Sequence, residues 1–174
     1  MTASSHSTNS TTLAPAELLY ADFPAEHATT RRFLERYPDG QGKWRPHERS
    51  RSLDQLATHV ADIVNRGVNI LESDGMDVAT RQPVPLMDSA RELLAHFDAG
   101  LARFNAALAN ADFEQLAQPW ALRRETHVLV ERPRRILLRQ MMMSHLVHHR
   151  AQLGVYYRLL GVPVPGSYGP SADD

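Results

Sequence analysis

The chain has 174 residues, 43% of them apolar, with 19 Lys and Arg set against 20 Asp and Glu for a formal net charge of -1. That length and composition suffice for one ordinary hydrophobic core, and the charge balance supplies no global attraction for nucleic acid or an acidic membrane. The absence of cysteine removes disulfides, thiolate catalysis and sulfur-rich zinc sites together, leaving histidine and carboxylate as the available metal ligands.

Residues 1–12, MTASSHSTNSTT, are rich in Ser and Thr, would gain little by folding, and are expected to form a flexible tail. They lack the positive and apolar regions of a secretory signal, and no later apolar stretch approaches a bilayer-spanning length, so a cytoplasmic protein with one domain over 13–174 is expected. Pro15 suits the first turn of a helix running to about Tyr37, because a proline there sacrifices no internal hydrogen bond. Leu18, Leu19, Phe23, Phe33, Leu34 and Tyr37 give that helix an apolar face, and Pro24 marks an irregular start or kink. Pro38, Asp39, Gly40 and Gly42 form a turn, after which the large indole of Trp44 is expected to pack back onto the domain.

Ser52 and Gln55 have the spacing of a capping box, and Leu53, Leu56, Val60, Ile63, Gly67, Ile70 and Leu71 continue a helical stripe to about Glu72. His59 lies within or beside that stripe, where simple packing asks for no polar group. The segment 74–88, DGMDVATRQPVPLMD, is broken by Gly75, Pro83 and Pro85 and reads as a connection across the end of a bundle. Ser89 and Glu92 open a third helix, with Leu93, Leu94, Phe97, Leu101, Phe104 and Leu108 on its inner face, ending near Asn110. Within 119–132, PWALRRETHVLVER alternates over a short span that suits a small strand pair. A fourth helix begins at Pro133 or Arg134 and runs to Leu160, with Gly161 as its C-cap. Four substantial helices joined by long connections define an all-α helix bundle.

His145 and His149 lie four residues apart on that fourth helix, so both imidazoles can face one divalent cation. The spacing alone is weak evidence, since nine histidines in this chain produce such pairs by chance, and His148 competes for the same role. His59 supplies a third nitrogen from a helix whose apolar stripe faces the same core. Asp62 and Gln152 are candidate orienters of the imidazoles, and Glu48 is a less secure candidate base from the preceding loop. Arg150 and Tyr156 are candidate pocket contacts, with a structural salt bridge and core packing as their respective competing roles. Met141, Met142 and Met143 are assigned to packing. The basic runs TRRFLERY and ERPRR are assigned to solvent, so no nucleic-acid partner is expected. There is no phosphate-binding glycine loop, serine nucleophile elbow or HExxH motif.

The stretches KWRPHERSRSLDQLATHVADI and MMMSHLVHHRAQLGVYYRLLGVPVPGSYGPSADD resemble the DinB-like metal-binding family, especially its damage-inducible branch. The resemblance spans nearly everything after the tail, and the HxxHHRxQ run with its YGPSAD ending is more specific than a histidine pair. Ala151 departs from the glycine frequent after HHR, and Asp174 from a longer terminal acid. The resemblance implies an up-down-down-up four-helix bundle with long crossover connections, commonly a homodimer, with His59, His145 and His149 as ligands of a divalent metal. It further implies a small-molecule substrate and a metal-dependent thiol transferase, or use of a low-molecular-weight thiol. A hydrolase and a metal-stabilised structural or interaction module are the alternatives. Zinc suits borderline nitrogen donors best, with nickel, iron and manganese as the other candidates.

Overall fold

The computed structural model describes residues 13–173, so the expectation of a flexible N-terminal tail lies outside the described residues. The chain is mostly helical, with a small three-stranded sheet. Its helices are α1 (Pro15–Leu19), α2 (Phe23–Glu35), α3 (Leu53–Glu72), α4 (Ala90–Ala109), α5 (Phe113–Ala117), α6 (Arg134–Leu137) and α7 (His145–Leu159). Leu138–Ser144, between α6 and α7, is a π-helical segment, so helical structure is continuous from 134 to 159. The strands are β1 (Gly75–Asp77), β2 (Pro119–Arg124) and β3 (His127–Pro133).

The first expected helix is divided in two. Pro24 has no N–H to continue an earlier helix, and its ring crowds the carbonyl four residues back. The chain therefore leaves helical geometry at Tyr20 (φ -137°) and restarts with Pro24 in the first turn of α2. The Ser52 and Gln55 pairing at the start of α3 is present in modified form. Gln55 Oε1 accepts from Ser52 N at 2.9 Å, but the Ser52 hydroxyl is drawn to Asp54, which takes the Gln55 N–H at 2.7 Å. At the start of α4, Ser89 Oγ accepts from Glu92 N at 3.3 Å and donates to Glu92 Oε2 at 2.8 Å. Gly161 adopts φ +71° just after α7, and Val162 N donates to Tyr157 O at 2.9 Å. Those two features form a Schellman cap, whose left-handed residue favours glycine.

Helix α3 is the centre of the fold, packing on both α4 and α7, while α2 also touches both of those helices. Gly67 allows α4 to approach closely: a Cβ there would stand 2.7 Å from the Phe104 ring. The core fills the space between these helices with Phe23, Phe33, Leu34, Leu56, Val60, Ile63, Phe97, Phe104, Leu146 and Leu153. His27 is buried among them, 3% exposed, with its ring edge-on to Phe97 and Phe104.

The sheet departs from a purely helical expectation. β2 and β3 form the antiparallel pair expected within 119–132, with Leu122 opposite Val130, and β1 adds in parallel with Met76 opposite Leu122. β1 has only three residues, too few for alternation to reveal it in a Gly- and Pro-broken segment. Trp120 is fully buried and its indole N–H donates to Ser73 Oγ at 3.3 Å, fastening the sheet to the end of α3.

Two loops flank the α3 face that carries His59. The 42–44 turn docks on the helix start through Leu53 N to Trp44 O and Asp54 N to Gly42 O, both 2.9 Å. Trp44 is partly buried, edge-on to Tyr156 at 5.5 Å, as its size requires. The crossing segment between β1 and α4 is held down by Met87 N donating to Thr58 Oγ1 at 2.9 Å and Tyr37 OH donating to Asp88 Oδ1 at 2.6 Å. No helix of the described residues is long and apolar enough to cross a membrane.

Candidate metal centre

Helical spacing places the three imidazoles before any contact is considered. His145 and His149 are one turn apart at the start of α7, and α7 packs against α3, which carries His59. One donor atom from each of His59, His145 and His149 lies within 4.8 Å of the others. The ring centroids are 5.0 Å apart for His59 and His145, 4.6 Å for His59 and His149, and 4.5 Å for His145 and His149. Nitrogen ligands about 2.0–2.1 Å from a tetrahedral zinc are separated from one another by roughly 3.3 Å. The 2.8 Å between His59 Nε2 and His145 Nε2 and the 4.8 Å limit bracket that value. Small ring rotations therefore suffice, and the residues fit a divalent cation. His148 is exposed beside His149 and stands outside the cluster.

All three histidines favour the neutral form. Burial, reinforced by Arg51, the neighbouring histidines and Arg66, pushes His59 down to about 3. Burial, then Arg66 and the histidines, pushes His145 down to about 4. Burial also lowers His149, against the opposing hydrogen bond that it donates to Gln152 and with help from Arg51, His148 and Arg66. The nitrogens therefore offer lone pairs rather than protons at neutral pH.

The other candidates separate clearly. Gln152 Oε1 lies 2.6 Å from His149 Nδ1. A carbonyl oxygen can only accept, so Nδ1 carries the proton and Nε2 is left for a ligand. Asp62 does not orient His59: its Oδ2 takes Arg81 at 2.6 Å, and its Oδ1 takes Asn65 at 3.0 Å and meets His96 Nε2 at 2.9 Å. Arg150 is a structural pin, 1% exposed. It pairs with Glu26 at 2.7 Å and donates to Glu26 O, Thr30 Oγ1 and the Tyr168 hydroxyl. Tyr156 packs on Trp44 and donates to Arg51 O at 3.1 Å. Glu48 is exposed and lines neither cavity beside the histidines.

One open cavity of about 580 Å³ contains His59 in its lining with Arg51, Gln55, Asp62 and Arg81 and with Val78, Pro83, Val84 and Leu86 of the crossing segment. A second, of about 400 Å³, has His149 and Gln152 with Arg51 and Tyr156. Both volumes suit a small molecule. Arg51, Arg66, Arg81 and His96 were not singled out from the sequence. His59, Asp62 and Arg66 at i, i+3 and i+7 share one helix face, and that spacing was the available signal.

The fold and the histidine cluster together define a helical protein with a potential three-nitrogen metal site. The chain belongs to the DinB family, whose model matches residues 7–174. Among solved structures it is similar to a DinB-like protein from Bacillus subtilis, with 20% identity and a TM-score of 0.63 over 82% of this chain and 93% of that one. It is also similar to one from Bacillus cereus, with 19% identity and a TM-score of 0.65 over 86% and 95%. A third likeness is to a proposed DinB-family member from Exiguobacterium sibiricum, with 23% identity and a TM-score of 0.62 over 90% and 95%. At these identities the likeness is one of fold. No curated protein matches the chain.

Proposed function

We propose that the protein is a divalent-metal-dependent enzyme acting on a small molecule, with transfer of a low-molecular-weight thiol to an electrophile as its reaction. The observation that carries this reading is the convergence of three neutral imidazoles, from two helices, beside open cavities. A divalent cation there, zinc for preference, would supply a Lewis-acid position at which a thiol loses its proton at neutral pH. His59, His145 and His149 would hold it, and Gln152 would fix the His149 ring through Nδ1. The chain has no cysteine, so a nucleophilic sulfur must arrive as a ligand. Hydrolysis is the weaker reading because a water nucleophile wants a base, and Asp62, the carboxylate lining the His59 cavity, is engaged by Arg81 and His96.

The same proposal includes the up-down-down-up order of the four main helical segments, pairing into a homodimer, and no nucleic-acid partner. In support of the last, Arg31 is paired with Glu35 and Asp98, and Arg134 with Asp74. The test is anaerobic thiol consumption by zinc-loaded protein across a panel of electrophiles. Turnover that disappears when His59, His145 and His149 are replaced by alanine supports transfer. Unchanged turnover in that variant refutes it, and a zinc-dependent gain in folding without turnover assigns the metal a structural role.

A further inference from the structure

The face around the histidines carries more positive charge than it neutralises. Arg51 lines both cavities that contain site histidines. Arg66 lines a neighbouring cavity of about 330 Å³ that shares Asp62, Arg81 and Val84 with the His59 cavity, so the two spaces adjoin. The linings of these two spaces hold Arg51, Arg66, Arg81 and Arg103 against a single carboxylate, Asp62. Asp62 is already committed to Arg81, and Arg103 donates to Asn65. Among the described residues, the Arg51 and Arg66 guanidiniums have no hydrogen-bond acceptor or ion-pair partner. Arg66 is half-buried, and the attraction of Asp62 offsets only part of the cost of drawing its guanidinium out of water. This local surplus stands on a chain whose formal net charge is -1, so it is not a property of the surface at large.

We propose that Arg51 and Arg66 form an oxyanion-recognition site that selects small substrates bearing a carboxylate or phosphate group. The inference rests on the metal-centred reading above and specifies its substrate class. Guanidinium forks match the planar geometry of carboxylate and the oxygens of phosphate. Arg51 stands just before α3 and Arg66 on it, seven residues beyond His59, and both bear electrostatically on His59 and His145, so an anionic group can engage them while another atom of the same molecule lies at the imidazoles. Val78, Pro83, Val84 and Leu86 line the same cavity as Arg51 and His59, giving the uncharged part of the molecule an apolar surface to pack on. The arginines are specificity determinants; the chemistry stays with the histidines.

The first arm of the test needs no metal. The metal-free full chain is titrated with succinate and, separately, with inorganic phosphate, following the arginine Nε–H resonances by NMR. The expected result is a saturable shift of the Arg51 and Arg66 signals, with affinity weakened at least about fivefold in Arg51→Gln and further in Arg51→Gln with Arg66→Gln. Absence of those shifts, or equal affinity in the variants, overturns the proposal. Arg51 is exposed, so its single variant gives a result even if the double variant fails to fold. The relative response to succinate and phosphate identifies which oxyanion the site prefers. In the second arm, cobalt-loaded protein is titrated with mercaptoacetate and with neutral mercaptoethanol, reading the thiolate-to-cobalt absorption. Mercaptoacetate is expected to bind about tenfold more tightly, a preference lost in Arg51→Gln. Cobalt binding with equal affinity for both thiols overturns the inference and leaves the metal site standing. Oxyanion binding without cobalt binding overturns the metal-centred reading and leaves the arginine site standing.

Discussion

Replacing His27 with leucine should remove a defined part of the protein's sensitivity to acid. His27 is 3% exposed among Phe23, Phe97 and Phe104, its Nε2 has no partner among the described residues, and burial pushes it down to about 4. An unfolded histidine titrates near 6.5, so the unfolded chain binds more protons than the folded one throughout the interval between these values. The contribution is therefore fully present above about pH 6.5 and declines as the pH falls toward the folded value. Integrating that difference down to about pH 4 gives a loss of about 3 kcal/mol from this one ring. Leucine is smaller, apolar and cannot titrate, and its cost at neutral pH should stay below about 1.5 kcal/mol. Urea unfolding of both proteins at about pH 7 and pH 4 measures the effect, with the variant losing about 3 kcal/mol less than the wild type. His59 and His145 are depressed in both proteins, so their contribution cancels in the comparison. Parallel pH dependence in the two proteins would refute the assignment of a neutral, proton-excluding His27.

The site itself should tolerate acid unusually well as a metal ligand. With His59 and His145 held at about 3 and about 4, protons compete weakly, and zinc affinity at about pH 5.5 should stay within about tenfold of its neutral value. Three ordinary histidines would lose about a thousandfold over that interval, a difference that competition with a chromophoric chelator resolves. Gln152→Leu should weaken zinc about tenfold without changing its stoichiometry, because it removes the acceptor that holds His149 Nδ1–H; unaltered affinity would reject Gln152 as a positioning residue. Arg150→Met strands the Glu26 carboxylate, which is only 14% exposed, and should cost about 3 kcal/mol in urea unfolding. The folded fraction of that variant should still take up zinc, and selective loss of zinc would return Arg150 to the pocket.

The long helices were legible because their burial is periodic. Leu56, Val60 and Ile63 on α3, like Phe97 and Phe104 on α4, repeat at the helical spacing and are buried. His59 stood out for the complementary reason, as a polar group at the edge of such a stripe. Individual side-chain partners were less accessible. From spacing, Asp62 could face His59, yet Arg81 arrives from the crossing segment and His96 from α4 to claim it. Arg150 follows His149 directly, but one residue of helix rotates by about 100°, enough to point it toward Glu26 on α2. The break before α2 was visible as Pro24 but not its severity. The π segment left no sequence mark, because a widened turn uses the same apolar residues, Leu138, Met142 and Met143, that fill the core of an ordinary one.

That widened turn ends at Ser144, immediately before His145. A π segment accommodates surplus chain within a helix without breaking it, so everything beyond it is indexed differently from everything before it. Rewinding Leu138–Ser144 into regular α geometry with every residue kept would swing one end against the other by about 100°, the rotation of the one residue that the π turn absorbs. With Arg134 anchored to the end of α3 through Ile70 O and Ser73 O, the swing would fall on α7, carrying His145 and His149 away from His59 together. The bearing of the imidazole pair is thus set upstream, by a slack turn that contributes none of the three rings.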